Sequence, residues 1–303
     1  MSVEKKLHGV IPPMMSPVDK DQNIDETGAR NIVNRCIRLG VSGLFVLGSM
    51  GEGQSITKEQ RKRLIEITVD EAKGRVPILA GVSAEGSRKV MENTEDALLA
   101  GADYIVSLTP YFFGANDQAE LITYFRNLAR NISKPLVIYN NPGMTGNVIT
   151  FDTFRTLSEE KNIVGVKNSS SDFSLHMQLI REFENDPDFT VFSGVEQMAD
   201  AAMIAGSDGI VPGIATLIPD VFVGIYNSAK AGNLSEAKKL QTKALQIMDE
   251  VYLDGFWAWV AGQKYALSCL GLCQEYVTLD NRYLNAEEKA RVKKALSDFN
   301  IKA

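Results

Sequence analysis

With 303 residues, 45% of them hydrophobic and 23% charged, the chain has the composition of a soluble globular protein that can bury a large core, which excludes a disordered or fibrous polymer. Its formal net charge of −6 leaves no electrostatic footprint for nucleic acid or for an anionic membrane surface. Three cysteines without metal-ligand spacing and two histidines argue against a metal site and turn the search for chemistry toward lysine, tyrosine, hydroxyls and carboxylates.

At the N-terminus Lys5 and Lys6 precede an apolar stretch, but Pro12, Pro13 and Pro17 interrupt it, which fits neither a secretory segment nor a membrane helix. With an odd cysteine count this predicts reduced thiols and a cytoplasmic protein. Eight β-rich runs follow in order: HGVIPPMM, GLFVLGS, VPILAGV, DYIVSLT, PLVIYN, IVGVKNS, FTVFSGV and DGIVPGI. Helix-like segments separate them, such as 58–73, with apolar Leu64, Ile65 and Val69 among charges and a capping-box pair in Thr57 and Gln60. One junction recurs as RLGVSGLFVLG, LAGADYIVSL and IAGSDGIVPG, where Gly40, Gly101 and Gly206 are placed to end a helix in the left-handed conformation two residues before a strand.

Strand and helix in alternation imply parallel strands with right-handed crossovers. Eight units in this length fit a closed (β/α)₈ TIM barrel, with an open doubly wound sheet as the structural alternative. No G-x-G-x-x-G fingerprint follows the first strand, which counts against a dinucleotide fold. Beyond residue 214 the segments 219–231, 233–252, 255–271 and 285–298 read as helices, with Pro219 a helix start and Asn233 or Ser235 a cap. The expected organisation is a barrel over 1–231 and a helical C-terminal extension over 232–303 packed on it.

The sixth run, IVGVKNSSSD, ends in Lys167. Lysine is rarely buried unless paired or functional, since its ammonium loses several kcal/mol on leaving water. Alternation puts Lys167 on the face of Gly165 and Ile163, and Gly165 would leave space beneath it. At the C-terminal end of a barrel strand a desolvated amine can attack a carbonyl to form a Schiff base; the alternative is a lysine that snorkels to solvent. Tyr139 ends the fifth run on the face of Val137, either as a proton shuttle or as a core tyrosine with a satisfied hydroxyl. In LGSMGEGQS, Gly48 and Gly51 permit close backbone approach, and successive amides with the Ser49 hydroxyl suit a carboxylate. Glu52 reads as a loop-orienting acceptor, not a general base.

Together these motifs resemble the dihydrodipicolinate synthase and N-acetylneuraminate lyase group of Schiff-base barrels. They stand here as Gly48-Ser49-Met50-Gly51-Glu52, Tyr139-Asn140-Asn141-Pro142-Gly143-Met144-Thr145-Gly146 and Gly165-Val166-Lys167, and the resemblance spans essentially the whole chain. It implies that Lys167 forms the imine with pyruvate or another 2-keto acid, that Tyr139 shuttles protons, and that Ser49 with the Ser49 and Met50 amides clamps the carboxylate. It also implies that no cofactor is required and that the protein is a homodimer or homotetramer.

Departures from the group bear on substrate. Lysine-biosynthetic members usually carry an arginine where Met144 stands, and losing that contact costs roughly 1.5–3 kcal/mol. Their interface tyrosine is matched by Phe112 in the segment Thr109 to Phe113, with Tyr111 beside it. Polar groups for a hydroxylated chain are offered by Ser169, Ser170, Glu196, Gln197 and Thr216, while Met50, Phe112, Met144 and Val211 would make part of the pocket apolar. The expected activity is reversible cleavage of a 2-keto-3-deoxy sugar acid to pyruvate and an aldehyde, with dihydrodipicolinate synthesis or N-acetylneuraminate cleavage as alternatives and a non-catalytic carboxylate-binding barrel as the reading from another class. The expected substrate contacts are Ser49, Met50, Gly51, Tyr111, Phe112, Met144, Ser169, Glu196 and Val211.

Overall fold

The computed structural model describes residues 6–112, 114–115, 117–278 and 283–303; Phe113, at the end of the segment matched to the interface tyrosine, lies outside them. The strands are β1 (Gly9–Val10), β2 (Leu44–Val46), β3 (Ile78–Gly81), β4 (Tyr104–Leu108), β5 (Leu136–Asn140), β6 (Ile163–Asn168), β7 (Thr190–Ser193) and β8 (Gly209–Ile210). All their pairings are parallel, in the order β1-β8-β7-β6-β5-β4-β3-β2. The seam between β1 and β2 is closed by residues just past β1. Ser42 N donates to Val10 O at 2.8 Å, Phe45 N to Pro12 O at 3.0 Å and Met14 N to Phe45 O at 2.8 Å. Pro12 and Pro13 lack N–H groups, so the first predicted run contributes only a two-residue strand and sparse bonds. The result is the (β/α)₈ barrel, and the open-sheet alternative falls.

Between strands lie α1 (Glu26–Arg38), α2 (Lys58–Ala72), α3 (Ser87–Leu99), α4 (Gln118–Arg130), α5 (Pro142–Thr145), α6 (Phe151–Ser158), α7 (Phe173–Phe183) and α8 (Ala199–Ala205). They are followed by α9 (Pro219–Lys230), α10 (Leu234–Val251), α11 (Phe256–Cys269) and α12 (Ala286–Asp298). Thr57 and Gln60 form the anticipated capping box of α2, and Asn233, not Ser235, caps α10 through Glu236 N. The repeated glycines adopt φ of +87° at Gly40, +93° at Gly101 and +110° at Gly206. In each turn the next residue's N–H reaches back to the helix: Val41 to Cys36 O, Ala102 to Ala97 O and Ser207 to Ala202 O. This satisfies carbonyls that the ending helix would otherwise orphan.

Two apolar layers result. Leu7, Ile11, Phe45, Leu79, Tyr104, Val106, Leu108, Val137, Tyr139, Phe192 and Val211 fill the barrel, while a larger set packs strands against helices. Strand β6 departs from simple alternation. Leu136 pairs with Ile163 but Val137 pairs with Gly165, so Val164 is a bulge. Ile163 therefore belongs to the outer layer, Val164 packs on the inner one, and Lys167 does not share a face with Ile163 as alternation had suggested. Nor does Gly165 make room for the lysine: a Cβ there would lie 2.5 Å from Thr190 O on β7. We expect Gly165→Ala to cost about 1–3 kcal/mol by forcing β6 from β7, which urea unfolding would measure; unchanged stability would mean that the strands part without penalty.

Candidate active site

At the C-terminal ends of the strands lies a cavity of about 400 Å³. Ser49 and Met50 enter it from the loop after β2, Tyr139, Asn141 and Met144 from β5 and α5, and Lys167, Ser169 and Ser171 from β6. Glu196 and Gln197 come from the turn after β7, Val211 and Gly213 from β8, and Phe256 and Trp259 from α11.

Lys167 is 5% exposed and stands in register between Tyr139 and Phe192. Its Nζ lies 4.0 Å from the Tyr139 ring centroid and 5.0 Å from that of Phe45, so the ammonium rests against two aromatic faces. Gly194 makes the space for it: a Cβ there would come within 3.0 Å of Lys167 Cε and 2.0 Å of Ser169 Oγ. Strand ends are held by Asn140 Nδ2 donating to Asn168 Oδ1 at 2.8 Å, Ser169 N to Asn140 O and Gly194 N to Asn168 O. Those bonds fix the backbone on both sides of the lysine.

The Tyr139 hydroxyl accepts from Asn141 Nδ2 at 3.0 Å, and the Ser49 and Ser169 side chains line the same cavity. Burial pushes the phenol up, but the Lys167 charge and the polar side chains of Ser49, Asn141 and Ser169 outweigh it and hold the phenol below its ordinary value. A phenol in contact with an amine and a hydroxyl chain is equipped to carry protons.

In the β2 loop the amides of Gly51 and Gly53 donate to Gly48 O and that of Glu52 to Ser49 O. Among the described residues the Ser49 and Met50 amides have no acceptor, so two N–H groups remain for a ligand beside the Ser49 hydroxyl. Gly51 does not line the cavity; a Cβ there would lie 2.6 Å from Met14 O, so its role is the tight path of the loop. Glu52 orients that loop: it is buried, accepts from Thr278 N and Oγ1 at 2.7 and 2.9 Å, and pairs with Lys264.

Glu196 is buried and accepts from Ile214 N at 2.7 Å, with Gly213 and Tyr252 packed beside it. Burial raises its carboxyl above the ordinary value despite the Ile214 amide and the Lys167 charge.

Several anticipated contacts lie elsewhere. Phe112 is 82% exposed at φ +69°, and half-buried Tyr111 stands near Arg61 and Glu85; neither lines the cavity of its own chain. Ser170 accepts from Asp172 N, and Thr216 donates to Pro13 O, so both serve backbone turns, and Ser171 takes the place expected of Ser170. Sequence reasoning missed Asn141, Gly194, Phe256 and Trp259. Asn141 sat inside a quoted motif; the α11 residues lay in a segment read only as helix. Among the described residues, no group of three His, Cys, Asp or Glu side chains is placed to hold a metal ion, and no helix is long and apolar enough to cross a membrane.

A (β/α)₈ barrel with a buried lysine and tyrosine at its strand ends defines a class of lyases and synthases that work on keto acids. The model of the dihydrodipicolinate synthetase family matches residues 6–299, and the chain belongs to that family. It is an enzyme of the aldolase and lyase type. It is 33% identical over 291 residues to "Probable 2-dehydro-3-deoxy-D-pentonate aldolase YjhH" of Escherichia coli K12, covering 95% of each chain. Among solved structures it matches dihydrodipicolinate synthase from Bacteroides thetaiotaomicron with a TM-score of 0.92 and 32% identity, over 98% of this chain and 100% of that one. It also matches YagE, an E. coli K12 prophage protein of the same family in complex with pyruvate, with a TM-score of 0.90 and 29% identity, over 97% and 99% of the chains.

The raised Glu196 carboxyl predicts a pH signature. Between the unfolded value of 4.5 and the higher folded value, the native state holds a proton that the unfolded state has lost, so stability falls as pH rises through that window. Glu196→Gln removes this dependence, and its stability relative to the parent should rise with pH from 4.5 upward in thermal melts. Parallel curves for the two proteins would contradict the assignment.

Proposed function

We propose that this chain is a Schiff-base lyase that reversibly cleaves a 2-keto-3-deoxy sugar acid to pyruvate and an aldehyde, acting in the cytoplasm. The observation that carries the reading is Lys167 Nζ held against the Tyr139 ring, in one cavity with Ser49 and with two amides that have no acceptor among the described residues. The keto-acid carboxylate binds the Ser49 and Met50 amides and the Ser49 hydroxyl. Neutral Lys167 adds to the C2 carbonyl, and Tyr139 delivers the proton with which the carbinolamine oxygen leaves as water. The protonated imine is then the electron sink. Tyr139 accepts the C4 hydroxyl proton, the C3–C4 bond breaks, its electron pair forms the enamine and the aldehyde departs. Protonation at C3 and hydrolysis of the imine release pyruvate and restore the amine.

The sugar-acid assignment is supported by the pocket's far wall and by the name of YjhH. Glu196, Gln197 and Ser171 can bond hydroxyls, whereas the buried Glu196 carboxyl, when ionised, repels an anionic aldehyde. Met144, at the mouth and 42% exposed, offers no guanidinium to hold a semialdehyde's carboxylate. Similarity to the Bacteroides synthase supports a second reading, condensation of pyruvate with aspartate semialdehyde. Assaying both reactions separates them; turnover of the semialdehyde alone would favour the second. We also propose a homodimer or homotetramer built on the face around exposed Phe112, to be read by light scattering.

Borohydride treatment with pyruvate should leave an N-(1-carboxyethyl) group on Lys167 in mapped peptides, and Lys167→Ala should show no adduct and only background cleavage. An adduct elsewhere, or none on folded protein, overturns the imine assignment. Tyr139→Phe should lower kcat by about 10²- to 10⁴-fold while still trapping pyruvate slowly. Because the phenol must begin protonated and its value lies below 10, the parent's rate should fall on the alkaline side through that value. Tyr139→Phe should lose this limb of the pH profile.

A further inference from the structure

Helix α11 is buried along the whole run from Val260 to Leu267, yet that run contains Gln263 and Lys264. Both are 0% exposed. Gln263 Nε2 donates to Gly213 O at 3.2 Å, on the β8 side of the cavity. Lys264 Nζ pairs with Glu52, on the β2 side. A single helix from the C-terminal segment therefore grips two of the loops that wall the site.

The β2 loop is the more demanding of the two. Glu52 has φ +52°, a left-handed conformation that disfavours a residue with a Cβ, so the turn needs outside support. That support comes from four side chains: Ser16 to Gly51 O, Arg61 to Gly53 O and Gly81 O, Thr278 to Glu52, and Lys264 to Glu52. Arg61 and Ser16 grip the backbone after Met50. Among the described residues, the Glu52 side chain carries the hold to α11 and to Thr278. A fully buried ion pair contributes little net stability compared with an apolar pair of similar volume, so its effect is to select one conformation of the loop.

We infer that Lys264 is a positioning residue of the active site: through its ion pair with Glu52 it sets the Ser49 and Met50 amides toward the cavity, so that capture of the keto-acid carboxylate depends on α11. The inference rests on the proposed reading of those amides as the carboxylate clamp.

The test uses the full chain as wild type, Lys264→Met and Thr278→Val. Two quantities are read: hydrogen exchange in the peptide covering residues 47–53, and the pyruvate concentration that half-saturates borohydride trapping on Lys167. In Lys264→Met the peptide should exchange faster and half-saturation should rise about tenfold or more, while saturating pyruvate still gives full trapping. Thr278→Val should move both in the same direction by less. A folded Lys264→Met with wild-type exchange and half-saturation, or with only a lowered melting temperature, overturns the inference. Should Lys264→Met not fold, unchanged exchange in Thr278→Val overturns it. If wild type forms no adduct, the clamp reading falls, and the exchange measurement alone decides whether Lys264 orders the loop.

Discussion

An ammonium group taken out of water inside a barrel is the constraint on which the rest of this site depends. Lys167 is 5% exposed, and its desolvation must be offset locally. The Tyr139 and Phe45 rings do part of this, presenting their faces at 4.0 and 5.0 Å, and Glu196 supplies a nearby carboxyl. Neither ring can shift freely. Phe45 packs edge-on to Tyr139, with centroids 6.2 Å apart, and its strand carries the seam that closes the barrel. Gly194 is required because any side chain there would occupy the lysine's path. The same packing that holds the lysine sets its amine at the wall of the cavity.

Polar order at the strand ends is built in two tiers. Asn140 and Asn168, both buried and bonded to each other, hold the backbone of β5 and β6, while Asn141 addresses the Tyr139 hydroxyl directly and Ser49 and Ser169 line the cavity beside it. Since the Lys167 charge favours the phenolate and burial opposes it, the phenol is responsive to whatever happens to that charge. In the proposed imine mechanism a cation is retained at that nitrogen, so the coupling would persist past the first covalent step.

Legibility in the sequence followed the strength of local signals. The glycines at 40, 101 and 206, the Thr57–Gln60 box and Pro219 carry their mechanisms in a few adjacent residues, and each has the conformation or contact expected of it. Lys167 was conspicuous because a charge ended an apolar run. The phase of β6 was not legible: in Ile-Val-Gly-Val every residue before the lysine suits either face, so nothing local marks Val164 as the bulge. Tyr111 and Phe112 were placed by motif alignment, which fixes a position along the chain but not the direction of a side chain at φ +69°. The contribution of α11 was missed although the signal was present. A lysine within the run Val260 to Leu267 obeys the same rule as Lys167, that a buried ammonium is paired or working.

The two buried lysines illustrate how one fold separates chemistry from scaffolding with the same residue type. Lys264 meets a carboxylate and two donors that complete Glu52, a closed arrangement with no space beside it. Lys167 meets ring faces, a phenol and a cavity of about 400 Å³. The amides of Ser49 and Met50 complete the asymmetry by offering an anion site in the loop that Glu52 anchors but whose carboxylate turns away from the cavity toward α11. On the proposed reading, a keto acid's carboxylate would match the Ser49 and Met50 amides while its carbonyl meets the lysine between the ring faces.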